Sequence, residues 1–123
     1  MENTDIKKRV IEIFFEIGVD PALLGYIYLK DAVCMAYRDP DMIRQVTKKL
    51  YPSIAEKNNT TAMRAERSMR HAIERCFADI PEEVSYRYFG NCVSHVRGKL
   101  WTSTFIAVIV EHLKKEFGEE ESA

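Results

Sequence analysis

Apolar residues return every three or four positions along almost the whole chain, and no stretch keeps the strict alternation of a half-buried strand. That pattern restricts the fold to helices packed on helices. In the first segment, residues 4–17, Ile6, Val10, Ile13, Phe14 and Ile17 share one face, and Gly18 stops the helix. Asp20-Pro21 restarts the chain for a helix over about 22–37, with Leu24, Ile27, Tyr28, Ala32, Met35 and Ala36 expected inward. Asp39-Pro40-Asp41 breaks that helix, and a third is expected over 41–50. Pro52 opens a short segment to residue 58, and Asn59-Thr60-Thr61 reads as a turn with N-cap chemistry. The longest and most basic helix follows, over 61–77. Pro81 precedes a short helix over 82–89 that Gly90 closes. Residues 93–101 read as loop, and a last helix over 103–117 turns Phe105, Ile106, Ile109 and Leu113 inward. The fold class is therefore all-α.

The length, 123 residues, suits one domain, and 46% apolar with 30% charged residues suits a single core without staples. No linker or internal repeat divides residues 1–123, and only the acidic tail 118–123 is expected to be disordered. The longest apolar run, 105–110, is far short of the ~20 residues of a spanning helix. With no basic region leading into an apolar stretch at the N-terminus, a cytoplasmic protein is expected. Cys34, Cys76 and Cys92 are an odd, widely spaced set and read as reduced, small core residues.

Net charge is −1, but it is unevenly spread. Residues 1–43 carry 5 basic and 8 acidic groups, whereas residues 44–75 carry 8 basic and 3 acidic, a local net of +5. A polyanion responds to such a patch more than to the total.

The patch coincides with a short helix, a tight turn and a longer helix, the order of a helix-turn-helix. At 100° per residue, Ala62, Ala65, Met69, Ala72, Ile73 and Cys76 fall on one arc, and Arg64, Arg67, Arg70, His71 and Glu74 fall opposite. Arginine reads guanine O6 and N7 bidentately, and Glu66 beside the arginines can accept from a cytosine amine. Thr60, Thr61 and the first amides of the helix can hold a phosphate. The competing reading is a solvated helix face with a weak Arg70–Glu74 pair.

Four stretches sharpen the choice: Gly25-Tyr26-Ile27-Tyr28-Leu29-Lys30-Asp31-Ala32, Leu50-Tyr51-Pro52-Ser53-Ile54-Ala55-Glu56-Lys57, Asn59-Thr60-Thr61-Ala62, and Glu66-Arg67-Ser68-Met69-Arg70-His71-Ala72-Ile73-Glu74. Together with Phe89-Gly90, Val93-Ser94 and Phe105-Ile106-Ala107, they resemble the DNA-binding effector-domain family of the sporulation response regulators, over about residues 6–113. The resemblance implies a compact six-helix domain containing the helix-turn-helix. It implies binding to double-stranded DNA at tandem operator boxes similar to TGTCGAA, with the 61–77 helix in the major groove. Carried over by position, Arg64 and Arg67 resemble the base-reading arginines and Glu66 their cytosine-side partner. Arg70 and His71 resemble groups at the backbone or base edge, and Lys99 resembles a phosphate-side lysine. The 82–89 helix, through Glu82, Ser85, Tyr86 and Phe89, resembles a contact surface for the polymerase sigma subunit.

Three departures bear on function. The family's phosphorylated receiver domain has no counterpart in residues 1–123, so control by phosphorylation does not carry over, and a monomer or weak dimer that pairs on DNA is expected. Met63 stands where the family has a small polar residue just before the first arginine. The family's Lys-Pro-Thr-Asn-Ser-Glu-Phe becomes Lys99-Leu100-Trp101-Thr102-Ser103-Thr104-Phe105, and Trp101 reads as a core anchor in preference to a new exposed partner site.

Catalysis, cofactors and metals are not expected. Cys92-Val93-Ser94-His95 has the spacing of half a metal site, yet His71 and His112 stand apart from it, and zinc takes four ligands or three and water. There is no phosphate-cradling glycine loop. Tyr26, Tyr28 and Tyr37 read as core, and Lys7-Lys8-Arg9 as a solvated face. The alternative function is a protein-interaction module of the same fold, binding sigma factor or a full-length regulator without operator binding. The acidic remainder of the chain, Met63 and the changed Leu100-Trp101 loop favour that alternative, whereas Arg64, Glu66, Arg67, Arg70 and His71 favour DNA.

Overall fold

The computed structural model describes residues 3–93 and 100–118, and among them it contains helices and no strand. Helix α1 spans Asn3–Ile17 and α2 spans Leu24–Arg38. The one-turn α3, Asp41–Arg44, runs through a π-helical turn, Val46–Leu50, into α4, Tyr51–Lys57. Helix α5 is Ala62–Asp79, α6 is Glu82–Phe89, and α7 is Thr102–Glu116. Counting the one-turn α3 makes seven helices, one more than the resemblance implies. None of the described helices is long and apolar enough to cross a membrane.

The inward faces of α1 and α7 are those the apolar spacing marks: Ile6, Val10, Ile13, Phe14 and Ile17 are buried, as are Phe105, Ile106, Ile109 and Leu113. Phe105 is the hub of an aromatic cluster. Its ring lies 6.0 Å from Phe14, 6.4 Å from Phe77 and 5.4 Å from Phe89, so α1, α5, α6 and α7 meet on one side chain.

Helix α2 departs from expectation in start and phase. The Asp20 carboxylate captures the Ala22 amide at 2.9 Å, residues 21–23 form a turn, and the helix begins at Leu24. Its buried side is Gly25, Tyr28, Leu29, Ala32, Val33, Cys34 and Ala36, while Leu24 and Ile27 are 60% and 44% exposed. The helix is apolar nearly all round, so spacing alone does not choose its inner side, and close packing on α5 does. At Gly25 a Cβ atom would lie 2.1 Å from the Ser68 carbonyl oxygen and 2.8 Å from the Ala72 methyl carbon. Only glycine permits that approach.

The expected 41–50 helix is broken at Gln45, whose backbone leaves the helical region at φ −130°, ψ 52°. The Gln45 carbonyl accepts from Lys49 N at 2.7 Å and Leu50 N at 3.3 Å, the wider ring of a π turn. Asp41 collects Gln45 Nε2 at 2.7 Å and Lys49 Nζ at 3.1 Å around it.

Arg9 belongs to a clamp between the chain's two ends: its Nε and Nη2 reach the two carboxylate oxygens of Glu116 at 2.7 and 2.8 Å. Glu16 ties α1 to α6 through Arg87 Nη1 at 2.8 Å and the Tyr88 hydroxyl. Of the three tyrosines expected in the core, Tyr28 is buried, and Tyr26 and Tyr37 are half-buried. Cys34 and Cys76 are buried, and burial pushes the Cys76 thiol up to about 12. Cys92 is instead exposed, because it lies in the 3₁₀ turn Gly90–Cys92 that leaves the body after α6.

Candidate nucleic-acid interface

Helices α4 and α5 are joined by a turn that several side chains hold. Pro52 lies in the first turn of α4, where its missing N–H costs nothing. Asn59 takes the left-handed conformation, φ 59°, which asparagine tolerates better than most residues. The neighbouring Asn58 donates Nδ2 to Asp31 Oδ2 and to the Ile54 carbonyl, both at 2.9 Å, and Lys57 Nζ reaches Asp31 Oδ1 at 3.0 Å. Asp31 belongs to α2, so the turn is anchored to the helix that α5 packs against. Thr61 then caps α5, its Oγ1 accepting from Arg64 N at 3.2 Å. Thr61 is exposed and Thr60 half-buried at the mouth of the turn.

On α5 the predicted arcs hold. Ala65, Met69, Ala72, Ile73 and Cys76 are buried, and Ala62 is half-buried. Met63, Arg64, Arg67, Arg70, His71 and Glu74 are exposed.

The positive stretch is partly neutralised by carboxylates that, Glu66 apart, come from outside it. Five of its eight basic groups have carboxylates within 4.0 Å: Arg44 has Asp41, Lys49 has Asp39 and Asp41, Lys57 has Asp31, Arg70 has Glu66, and Arg75 has Asp20. Arg64, Arg67 and Lys48 have none among the described residues. Of these three, two are guanidinium groups on the outer face of α5, one turn apart.

Glu66 is less free than the wheel suggests. It is half-buried, and the Arg70 pairing expected with Glu74 is made with Glu66 instead, at 3.3–3.4 Å. This bond raises the Arg70 guanidinium above its ordinary value. Glu66 Oε2 also accepts from Thr102 Oγ1 at 3.3 Å, across to the start of α7. Partial burial, and secondarily the Glu66 charge, push the half-buried Tyr51 hydroxyl up to about 12. All the Glu66 bonds are long, so a carboxylate has capacity to exchange partners. The bridge from α7 was invisible in sequence because Thr102 and Glu66 are thirty-six positions apart.

Trp101 is the plainest reversal. It is 81% exposed, and Thr102 takes the buried place. With Trp101 at the N-cap of α7, in extended conformation, its side chain is thrown outward as the chain turns into the helix. Phe89 reverses in the other direction: at 2% exposure, with its ring 5.2 Å from Phe77, it is core and offers no docking surface. On the same helix Glu82 is exposed, Ser85 half-buried and Tyr86 62% exposed. Lys99 and His95 lie outside the described residues. Among the described residues no three His, Cys, Asp or Glu side chains gather to hold a metal.

An all-α body, a braced turn and a second helix with bare arginines outward define a helix-turn-helix domain. Residues 10–113 match the family model of the sporulation initiation factor Spo0A C terminal, and the chain belongs to that family. The family is one of DNA-binding effector domains in sporulation, regulatory rather than enzymatic, and the chain is a DNA-binding transcription regulator.

Proposed function

We propose that the chain recognises a TGTCGAA-like box by placing α5 in the major groove. The observation that carries this reading is the pair Arg64 and Arg67, exposed and without counter-ions among the described residues, on the face of α5 opposite its buried arc. Leaving two such groups bare favours a polyanion, and two parallel N–H donors suit guanine O6 and N7. Glu66 accepts from a cytosine amine once its long bonds to Arg70 exchange, which frees Arg70 for the backbone or a base edge. His71 joins it there, and Met63 meets the base preceding the first arginine's contact. Thr60, Thr61 and the α5 amides hold a phosphate, and Lys99 neutralises another.

Residues 1–123 act as one domain in the cytoplasm, and two copies, monomeric or weakly paired in solution, occupy tandem boxes. A sigma subunit meets α6 at Glu82, Ser85 and the exposed Tyr86.

The test is fluorescence anisotropy of a labelled duplex carrying two TGTCGAA-like boxes against a scrambled duplex, at two salt concentrations. Cognate binding is expected at least ~10³ tighter than scrambled. Lys99→Ala is expected to weaken both duplexes alike and lower the salt slope by about one. Equal, weak binding to both would transfer support to the protein-interaction module, which a sigma-factor pull-down would then examine.

A further inference from the structure

Trp101 is the chain's one tryptophan, and its indole is almost wholly bare. Among the described residues no side-chain hydrogen bond or ring contact involves the indole. An indole combines a large apolar ring with an N–H that seeks an acceptor, so it belongs where one side is apolar and the other polar.

Its neighbour fixes where it stands. Thr102 is buried with Oγ1 3.3 Å from Glu66 Oε2. Consecutive Cα atoms are about 3.8 Å apart, so Trp101 stands one residue's reach from the flank of α5 that carries Glu66. Met63, one turn before Glu66 on α5, is 75% exposed. Met63 thus lies on the Glu66 side of the arginine face, and the backbone of Trp101 is one residue from the contact that α7 makes to Glu66.

We propose that Trp101 is a DNA-contacting residue that binds the sugar-phosphate backbone beside the groove entered by α5. The indole lies against deoxyribose, and Nε1–H donates to a phosphate oxygen. The inference rests on the DNA-binding reading above. A helix about 10–12 Å across fills a major groove about 12 Å wide, so a residue on the flank of that helix meets backbone rather than base edges. The chemistry of the edge agrees. The indole N–H is a donor, Arg70 becomes one for the duplex when its long bonds to Glu66 exchange, and Glu66 keeps its bond from Thr102 within the fold. An acceptor-rich polyanion fits that edge better than a protein surface of mixed polarity.

Trp101 also reports on itself, because fluorescence excited beyond the tyrosine band comes from this residue alone. The protein is titrated with a duplex carrying a single box, following tryptophan emission and, in parallel, the anisotropy of the labelled duplex. Emission is expected to be quenched and shifted, saturating together with the anisotropy. Trp101→Ala is expected to weaken cognate and scrambled duplexes alike by about tenfold, with an unchanged melting temperature. Trp101→Phe, which keeps a ring and loses the N–H, falls between. Binding by anisotropy with silent emission and an unaltered Trp101→Ala affinity would overturn this inference and leave the DNA-binding reading standing. An emission change that needs two adjacent boxes would assign Trp101 to contact between neighbouring copies, and would overturn it also. Absence of binding to any duplex at either salt would remove the DNA-binding reading and this inference with it.

Discussion

The two faces of α5 are built on opposite physical principles. On the inner face Met69 and Ala72 are fully buried, and Gly25 of α2 approaches so closely that a single added carbon collides with the backbone at Ser68. Every position there is over-determined, and a change is felt as lost stability. On the outer face Arg64 and Arg67 touch no partner charge among the described residues, and a change there leaves the folded domain almost untouched. What the comparison teaches is that the inner face fixes the direction of the helix, and that the outer face, on the proposed reading, uses that rigidity for recognition. Long, flexible guanidinium side chains read a groove only if the helix beneath them does not rock.

Substitutions on the inner face are the strongest way to break that division. Met69→Ala removes a wholly buried side chain at the point where α5 meets the body, and about 2–5 kcal/mol of stability is expected to go with it, measured by urea unfolding. Gly25→Ala should cost about 3 kcal/mol, because the clash is with backbone rather than with a flexible side-chain end. A loss under about 1 kcal/mol would mean that α2 and α5 separate easily and that the crossing is not a fixed platform.

On the outer face Arg64→Ala is expected to cost ~1–3 kcal/mol of binding and to relax one base position, with the unfolding midpoint unchanged. If affinity for a cognate duplex matches that of the unsubstituted protein, the docking of α5 is wrong. Thr61→Ala sharpens the boundary between the faces. It removes the acceptor for Arg64 N, and about 1 kcal/mol of stability should be lost, together with some cognate affinity as the first turn of α5 frays.

The smallest effect lies far from α5, in the clamp between Arg9 and Glu116. The Arg9 guanidinium holds the Glu116 carboxyl below its ordinary value of 4.5. The carboxylate form is the stabilised one, so the contribution is fully present above that value and is lost as pH falls through the lower folded value. With Glu116 about a third exposed, solvent screening limits it to a few tenths of a kcal/mol. Unfolding curves of the unsubstituted protein and Glu116→Gln should therefore converge in strong acid and differ slightly at neutral pH. Unequal curves in strong acid would mean that Glu116 acts by packing rather than by charge.

The sequence by itself determined the helical class, the inner faces of α1, α5 and α7, the turn before α5 with its Thr61 cap and the outward arginines, because each follows from local spacing or from residues adjacent in the chain. Tertiary structure alone decided the rest. The inner side of α2 is set by the Gly25 contact with α5, since an almost uniformly apolar helix has no face of its own to prefer. Phe89 goes inward because Phe77 and Phe105 of two other helices receive it, and Trp101 goes outward because Thr102 takes the place beside Glu66. Of the eight cations behind the local charge of +5, Lys49, Lys57 and Arg75 are paired because Asp39, Asp31 and Asp20, from earlier segments, fold onto them, and the outer face of α5 keeps Arg64 and Arg67 bare among the described residues. Periodicity records which side of a helix wants burial. It does not record which neighbour arrives to bury it, or which opposite charge arrives to cancel a cation, since those are properties of contacts between segments far apart in the chain.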